Sequence, residues 1–252
     1  MMKVLNIAAY KFIALERLPE LKQALLEALA ARDIKGTVLL AEEGINLFLA
    51  AESGAIHDFL AWLRLDARFA DLHAKQSWSH AQPFAKLLVK LKPEIIRMNH
   101  PAIRPEAGRA PAVDAATLKR WLNSGHDDAG RPVVTLDTRN TFEVDVGTFK
   151  NAIDWRLAKF TEFPQAVQEH RAELADKTIV SFCTGGIRCE KAAIYLQEAG
   201  IDNVYQLDGG ILKYFEDCGQ AHFDGDCFVF DDRRAVDATL QPRVNVGASS
   251  DS

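Results

Sequence analysis

Short apolar segments alternate with helical segments in the second half of the chain, and this alternation constrains the fold more than any other feature. The apolar segments are PVVTLD (132–137), TIVSF (178–182) and NVYQL (203–207). Helical patterns lie between and around them, at AATLKRWL (115–122), at CEKAAIYLQEAG (189–200) and from Ile211 onward. Strands that are apolar throughout are buried on both faces, so the pattern predicts an α/β domain with a parallel sheet covered by helices.

The first 92 residues follow a different order. A strand at VLNIAAYKF (4–12) precedes a helix, a hairpin centred on Glu43-Gly44, a second helix and two further strands, the last at PFAKLLVKLK (83–92). Both helices carry apolar residues at helical spacing, and the hairpin consists of two apolar runs. The order strand-helix-strand-strand-helix-strand is that of a ferredoxin-like α+β domain, here with one extra strand at its end.

Domain boundaries follow from these patterns. Residues 1–92 form the predicted ferredoxin-like domain, and residues 93–112 contain four of the nine prolines, which disfavour regular structure and predict a linker. Residues 113–220 hold the α/β domain. Residues 221–252 are a C-terminal extension, whose tail we expect to be disordered from Asp237 onward.

Composition limits the classes of protein that this chain can belong to. No stretch approaches 18 apolar residues, so no membrane span is expected. The N-terminus lacks the apolar run of a signal peptide. Four cysteines without a secretory signal indicate reduced thiols in the cytoplasm, and none of their spacings is that of zinc ligands.

The charge is distributed unevenly. The total is −5, which argues weakly against a nucleic-acid partner, but residues 73–110 contain seven Lys and Arg and only two Glu. That segment therefore carries +5 and the rest of the chain −10. A basic segment of this kind is a better indication of a polyanion partner than the total charge.

The stretch SFCTGGIRCEKAA (181–193) places a cysteine between a strand and a helix. Ligands bind at the carboxyl ends of parallel strands, and Cys183 would lie there at the positive end of a helix dipole. Gly185 and Gly186 permit an anion-binding nest, and Arg188 adds a positive charge. These features favour a thiolate, or a persulfide on that sulfur. The alternative is a buried cysteine in an ordinary turn.

The loop resembles the active-site loop of rhodaneses. Its spacing is C-x4-R, whereas cysteine-dependent phosphatases use C-x5-R to surround a phosphate. DTRNTFEVDVGTFKNAIDW (137–155) is similar to a second rhodanese motif, with matches at Asp137, Arg139, Glu143, Gly147 and Ala152. LDGGI (207–211) resembles the usual turn after a later strand. We expect Asp137 and Arg139 to orient loops through charge-assisted hydrogen bonds, a supporting rather than a catalytic role.

The whole chain resembles one family more closely. GTVLLAEEGIN (36–46), KLKPEIIRM (90–98), CTGGIRCEKAA (183–193) and GDCFVFDDR (225–233) occur in this order in the oxygen-dependent tRNA uridine hydroxylases that act at wobble position 34. The resemblance covers about residues 3–236. Many longer relatives carry an additional cysteine-containing C-terminal segment, and this chain ends soon after FVFDDRRAV without it.

The resemblance implies oxidation of uridine 34 in tRNA to 5-hydroxyuridine, with molecular oxygen as co-substrate. Cys183 would be the catalytic residue, with an anion or substrate loop around it formed by Thr184, Gly185, Gly186, Ile187 and Arg188. The sequence identifies no cofactor and no electron donor. Two alternatives remain, which are a persulfide sulfurtransferase of the rhodanese type and a non-catalytic rhodanese-type module that binds RNA or protein.

Other candidate sites carry less information. His126-Asp127-Asp128 with His170 has the bare spacing of an iron triad, but it lies in a polar, glycine-containing loop, so no metal site is predicted. Cys189 is either a resolving thiol for Cys183 or only a residue at the start of a helix, and we favour the second. Cys218 and Cys227 are expected to be structural.

The strand at 83–92 indicates where tRNA binds. Because strand side chains alternate, Leu87, Val89 and Leu91 should pack on the helices, while the other face presents Lys86, Lys90 and Lys92. With the resemblance, we expect these lysines to contact tRNA together with Arg97 and Arg104; without it, they would be a solvated edge strand. No DNA or membrane partner is expected, and no protein partner is identified.

Overall fold

The computed structural model of the chain describes residues 4–243. Its N-terminal half is a five-stranded sheet with two helices. In chain order these elements are β1 (Val4–Phe12), α1 (Leu18–Ala30), β2 (Lys35–Ala41), β3 (Gly44–Ala51), α2 (Ser53–Leu63), β4 (Lys75–Ser79) and β5 (Leu87–Leu91). The strand order across the sheet is β4-β1-β3-β2-β5. Strands β1 to β4 are antiparallel neighbours, and β5 is added parallel to β2. The first four strands thus have the predicted ferredoxin-like order, and β5 is the extra strand at the sheet edge.

The hairpin between β2 and β3 depends on a glycine. Gly44 has a φ of 149°, and a Cβ there would lie 2.1 Å from the backbone oxygen of Lys11. Only glycine lets β1 approach the start of β3 this closely. The turn residue Glu43, immediately before it, is thereby held at the end of the sheet that faces the second half of the chain.

The edge strand differs from the prediction at one position. Val89 is buried in the N-terminal core and Leu87 packs against it, as the alternation predicts. Leu91 was expected beside them but is 41% exposed. Strand β5 is the sheet edge and pairs only with β2, so its outer side has no neighbouring strand. Lys86, Lys90 and Lys92 are all exposed.

The second half contains a four-stranded parallel sheet with helices on both faces, which confirms the predicted class. Its elements are β6 (Ala112–Val113), α3 (Ala115–Ser124), β7 (Val133–Asp137), α4 (Thr141–Val144), β8 (Gly147–Phe149), α5 (Phe163–His170), β9 (Thr178–Phe182), α6 (Ile187–Glu198), β10 (Val204–Leu207), α7 (Gly210–Cys218), β11 (Phe223–Gly225), β12 (Cys227–Phe228) and β13 (Ala235–Val236). The strand order is β6-β10-β9-β7. Helices α5 and α6 contribute to the core on one face, and α3 and α7 to the core on the other. The apolar pattern did not indicate α4, α5, β8 or the three short C-terminal strands.

The connection between the halves and the C-terminal segment are both packed against the rest of the molecule. Residues 93–111 contain no helix or strand, yet Ile95, Met98 and Ile103 within them are buried. After α7, β11 pairs with β8 and β12 with β13. The expected disorder from Asp237 is wrong for residues 237–243, because the Asp237 carboxylate accepts hydrogen bonds from three groups in this turn. The remainder of that tail, residues 244–252, lies outside the described residues.

A buried ion triad joins the two halves. The ammonium group of Lys191 in α6 lies 2.7 Å from Glu43 Oε2 and 2.7 Å from Glu94 Oε2, and its side chain is 1% exposed. Ile187, one turn earlier, packs with Ala41 and Ile95. Helix α6 is therefore fixed to the N-terminal sheet by charge and by apolar contact. Among residues 4–243, no helix has the length and apolar character needed to cross a bilayer.

Lys191→Met should lower the free energy of unfolding by about 3 kcal/mol, because it leaves two largely buried carboxylates without their partner. The measurement is denaturant unfolding followed by circular dichroism. Lys213→Met is the matched control, since Lys213 also contacts two carboxylates but is 44% exposed; its loss should stay below about 0.5 kcal/mol. Equal losses in the two variants would contradict a structural role for the triad.

Candidate active site

Cys183 lies where strand β9 ends and helix α6 is about to begin. Its side chain is 1% exposed. Gly186 adopts a φ of 100°, and its backbone N–H donates to the Cys183 sulfur at an N–S distance of 3.1 Å. The loop is thus bent back so that an amide hydrogen points at the sulfur, as an anion-binding nest requires. Of the two loop glycines, only Gly186 has a positive φ; Gly185 contributes its carbonyl oxygen instead.

The turn at LDGGI holds this loop from behind. The N–H groups of Ile211 and Leu212 donate to the backbone oxygens of Cys183 and Thr184, at 3.0 and 3.1 Å. A Cβ on Gly210 would lie 2.5 Å from the Cys183 oxygen, so a larger residue would push the loop away. Helix α7 therefore uses its free N-terminal amides to bind the loop.

The four cysteines differ in acidity. Burial alone would raise the pKa of the Cys183 thiol, but the Cys189 thiol, the charge of Arg188 and backbone N–H groups outweigh it and lower this pKa from 9.0 to about 6. Burial raises the pKa of the other three, to about 12 at Cys227. Cys183 is therefore the one thiol of the described residues that favours the thiolate near neutral pH.

Cys189 supports the thiolate as a hydrogen-bond donor. It is fully buried, and its sulfur lies 4.0 Å from Thr138 Oγ1. The single hydroxyl hydrogen of Thr138 is used in a 2.9 Å bond to the Phe182 carbonyl oxygen. The hydrogen in any bond between Thr138 and Cys189 must then come from the Cys189 thiol, which can donate it to the Cys183 sulfur instead. A bond to that sulfur lowers the pKa of Cys183 and raises the pKa of Cys189. Its role as a helix residue or as a resolving thiol stays a prediction.

Arg188, which was predicted to add a positive charge beside the sulfur, is paired with a carboxylate. Its Nη1 and Nη2 atoms each lie 2.6 Å from an oxygen of Glu143, and both side chains are buried. The pair explains why Glu143 belongs to the 137–155 motif. The charge of Arg188 still lowers the pKa of Cys183, but it is shared with a carboxylate. The Nε–H group is buried without an acceptor in residues 4–243.

Asp137 and Arg139 make charge-assisted hydrogen bonds, as expected from the sequence. Arg139 Nη2 lies 2.6 Å from Asp137 Oδ2, and both side chains are inaccessible to solvent. Arg139 also donates to the Gly147 oxygen at 2.6 Å, and Thr148 Oγ1 donates to Asp137 at 2.8 Å. These bonds tie the end of β7 to β8. They touch neither Cys183 nor the cleft beside it, and the supporting role stays a prediction.

The N-terminal domain contributes side chains that sequence analysis missed. Lys75 Nζ of β4 donates to the Gly185 carbonyl oxygen at 2.6 Å. Tyr10 of β1 lies over the loop, since a Cβ on Gly186 would be 2.9 Å from its hydroxyl oxygen. The same hydroxyl donates to Glu190 Oε1 at 3.1 Å. Lys75 was counted in the basic segment, but nothing in the sequence connects it to a loop 110 residues away.

A cleft of about 630 Å³ opens beside Tyr10 and Lys75, between the two domains. It is lined by both halves of the chain, including Tyr10, Phe12, Lys75, Arg109, Glu190 and Asp208. Glu190 is buried and accepts hydrogen bonds from Tyr10, Arg109 and Gln206. The cleft combines aromatic and charged groups next to the loop of the acidic thiol, which suits a polar, flat ligand.

The residues predicted to bind tRNA lie elsewhere. Lys86, Lys90, Lys92, Arg97 and Arg104 are exposed, and none lines the cleft. The three lysines have no carboxylate within 4 Å among the described residues, whereas Arg104 pairs with Glu106. Ile187, expected in the anion loop, packs instead against the N-terminal domain.

The described residues contain no group of three or more His, Cys, Asp or Glu side chains that could hold a metal ion. Two residues of the iron-triad spacing named in the sequence analysis make other contacts. Asp127 accepts from Thr178 and Arg131, and His170 bonds Glu173.

Both domains match known families. Residues 4–95 match the UPF0176 acylphosphatase-like domain, and residues 114–217 match the rhodanese-like domain. The chain is 67% identical over 244 residues to the tRNA uridine(34) hydroxylase of Bordetella pertussis, which covers 97% of this chain and 100% of the relative. It is 62% identical to that of Variovorax paradoxus, covering 99% and 98%. The chain belongs to the tRNA uridine(34) hydroxylase family.

Solved structures similar to this chain include rhodanese-related proteins. A rhodanese-like domain from Anabaena is 22% identical with a TM-score of 0.37 and covers 46% of this chain and 79% of its own. A human single-domain sulfurtransferase is 24% identical with a TM-score of 0.35, covering 43% and 97%. The family membership rests on the full-length relatives.

At pH 6.5, Cys183 should react with iodoacetamide faster than the other cysteines, because its pKa of about 6 leaves most of it as thiolate and only the thiolate reacts. Peptide mass spectrometry measures the labelled share at each position. Cys218 is the informative comparison, since it is the more exposed thiol but its pKa is raised. Preferential labelling of Cys218 at this pH would contradict the assignment of Cys183 as the acidic thiol.

Proposed function

We propose that this chain hydroxylates uridine 34 of tRNA to 5-hydroxyuridine in the cytoplasm, with molecular oxygen as co-substrate. The observation that carries the proposal is the match to tRNA uridine(34) hydroxylases along nearly the whole chain, including both domains. The intact Cys183 loop supports it, because the thiol is set up as a thiolate. A non-catalytic module would have no need for that acidity, and family membership favours the hydroxylase over a sulfurtransferase.

The proposed roles of the residues follow from their contacts. Cys183 is the reactive group, held by the amide of Gly186 and supported by the Cys189 thiol. The interdomain cleft admits the uracil ring, with Tyr10 and Phe12 as aromatic surfaces. Base–aromatic stacking contributes about 1–3 kcal/mol per base, so a ring turned out of the anticodon loop can be retained there.

The proposed tRNA surface is the exposed face of β5 with the segment that follows it. Lys86 lies roughly 13 Å from Lys90 and roughly 20 Å from Lys92 along the extended chain, at about 3.3 Å per residue. None of the three is neutralised by a carboxylate within 4 Å in the described part of the chain, so each charge is available to a phosphate. Arg97 and Arg104 follow in the connection to the second domain, which would bring bound RNA toward the cleft.

Deletion of the gene should remove 5-hydroxyuridine-derived nucleosides from tRNA of cells grown with oxygen, as measured by nucleoside mass spectrometry. Wild-type protein should restore them and Cys183→Ser should not, because serine supplies no thiolate. Cys218→Ser is the control, since Cys218 lies outside the loop and should restore them fully. If the nucleosides persist after deletion while the purified protein transfers sulfur from thiosulfate, the sulfurtransferase alternative holds.

Changing Lys86, Lys90 and Lys92 together to Gln should weaken tRNA binding by at least about tenfold at 0.1 M salt. It should also reduce the slope of log K against log salt by about two to three, because each lost phosphate contact removes counterion release. Filter binding over a salt series gives both quantities. The fold should survive, since the three side chains are exposed. Changing Lys119, Lys150 and Lys159 together to Gln removes the same charge from the second domain. An equal effect of that change would contradict a specific face.

A further inference from the structure

The Gly185–Gly186 peptide group lies between two charged partners. Its carbonyl oxygen accepts a hydrogen bond from Lys75 Nζ at 2.6 Å, and its N–H donates to the Cys183 sulfur at 3.1 Å. The two ends of a trans peptide point in opposite directions, and the described residues contain no cis peptide. The ammonium group, the peptide and the sulfur therefore form one hydrogen-bonded series.

Such a series transmits polarisation. A cation at the carbonyl oxygen increases the positive charge on the amide hydrogen, so the hydrogen bond to an anionic sulfur becomes stronger. The peptide dimensions place the ammonium group at most about 8 Å from the sulfur. With an effective dielectric constant of about 20, charges at that distance interact by one to two pKa units.

Lys75 is also the cation of this site that is left without a counter-charge. Arg188 is held by Glu143 through two bonds of 2.6 Å, and Arg109 pairs with Glu190 and Asp208. Lys75 has no carboxylate within 4 Å among residues 4–243, and its ammonium lies over the Tyr10 ring, 5.4 Å from the centroid. Its positive charge thus acts on the loop and is not paired with a neighbouring carboxylate.

We infer that Lys75 is the counter-ion of the Cys183 thiolate and a positioning residue of the active site, acting through the Gly185–Gly186 peptide. The N-terminal domain then supplies part of the electrostatics of the rhodanese loop. This inference rests on the proposed function only in taking Cys183 as the reactive group, since the state of the thiol can be measured without tRNA.

Other groups face the same sulfur and must be held constant in a test. They lie on every element around the loop: Cys189 and Arg188 on α6, Tyr10 on β1, Lys75 on β4 and Cys227 on β12. Burial lowers the pKa of Lys75, and the negative charge of Cys183, followed by Asp208 and Glu216 across the cleft, opposes that decrease. Lys75 and the thiolate thus stabilise each other.

The test is a titration of the thiolate absorbance at 240 nm, taken as the difference between each protein and the same protein with Cys183→Ser. Lys75→Met should raise the apparent pKa of Cys183 by about one unit, a tenfold loss of thiolate at low pH. Lys75→Gln should behave like Lys75→Met, because an amide can bond the Gly185 oxygen but carries no charge. Lys75→Arg should restore the native titration. Lys11→Met is the control, since Lys11 lines the same cleft but pairs with Asp71.

An unchanged titration in Lys75→Met would overturn the inference. So would native behaviour of Lys75→Gln, which would show that the hydrogen bond matters and the charge does not. If Lys75→Met fails to fold, the Gln and Arg variants decide alone. The ratio of alkylation rates with iodoacetate and iodoacetamide provides a second measure, because the anionic reagent loses its advantage only when a positive charge is removed. If Lys75→Met titrates like the native protein while Cys183→Ser abolishes tRNA hydroxylation, the inference is refuted and the proposed function stands.

Discussion

The buried ammonium group of Lys191 is the interaction on which the shared site depends. Burying a charge is unfavourable unless opposite charges and hydrogen bonds surround it, and both partners of Lys191 come from outside its own domain. Glu43 lies in the β2–β3 turn, where Gly44 sets the close approach of β1. Helix α6, which carries the cysteine loop at its start, is therefore oriented relative to the N-terminal sheet by a contact that neither domain can satisfy alone.

That orientation decides which side chains meet the loop. Strands β1 and β4 are hydrogen-bonded neighbours, with Ala8 opposite Lys75 in the register, so Tyr10 and Lys75 reach the loop from one side of the sheet. The C-terminal segment adds a further contact, since Thr184 donates to the Phe228 oxygen at 3.3 Å. A rhodanese loop is thus completed by the N-terminal domain and by the segment after α7. The second domain alone supplies the thiol, the Gly186 amide and Arg188, but not Lys75 or Tyr10.

The sequence predicts the parts of this arrangement that arise from local patterns. The strands, the main helices and the position of Cys183 at a strand end follow from periodicity and glycine placement, because those signals act over a few residues. Leu91 was misplaced because exposure at a sheet edge depends on which strand lies beside it. The Arg188–Glu143 pair and the Lys75 contact join residues 45 and 110 positions apart, and no local rule relates such positions. Charge pairing between distant residues is set by tertiary structure.

The electrostatic effect of each basic residue depends on how deeply it is buried and on whether a carboxylate pairs with it. Arg188 is buried and paired, so it fixes the loop to Glu143 and contributes a reduced field at the sulfur. Lys86 and its neighbours are exposed and unpaired, so salt screens them and they act only on a polyanion that comes into contact. Lys75 lies between these cases, half-buried and without a carboxylate among the described residues. A charge in that position has no adjacent carboxylate and is screened less than an exposed one, which is the condition under which a single lysine changes the acidity of a thiol.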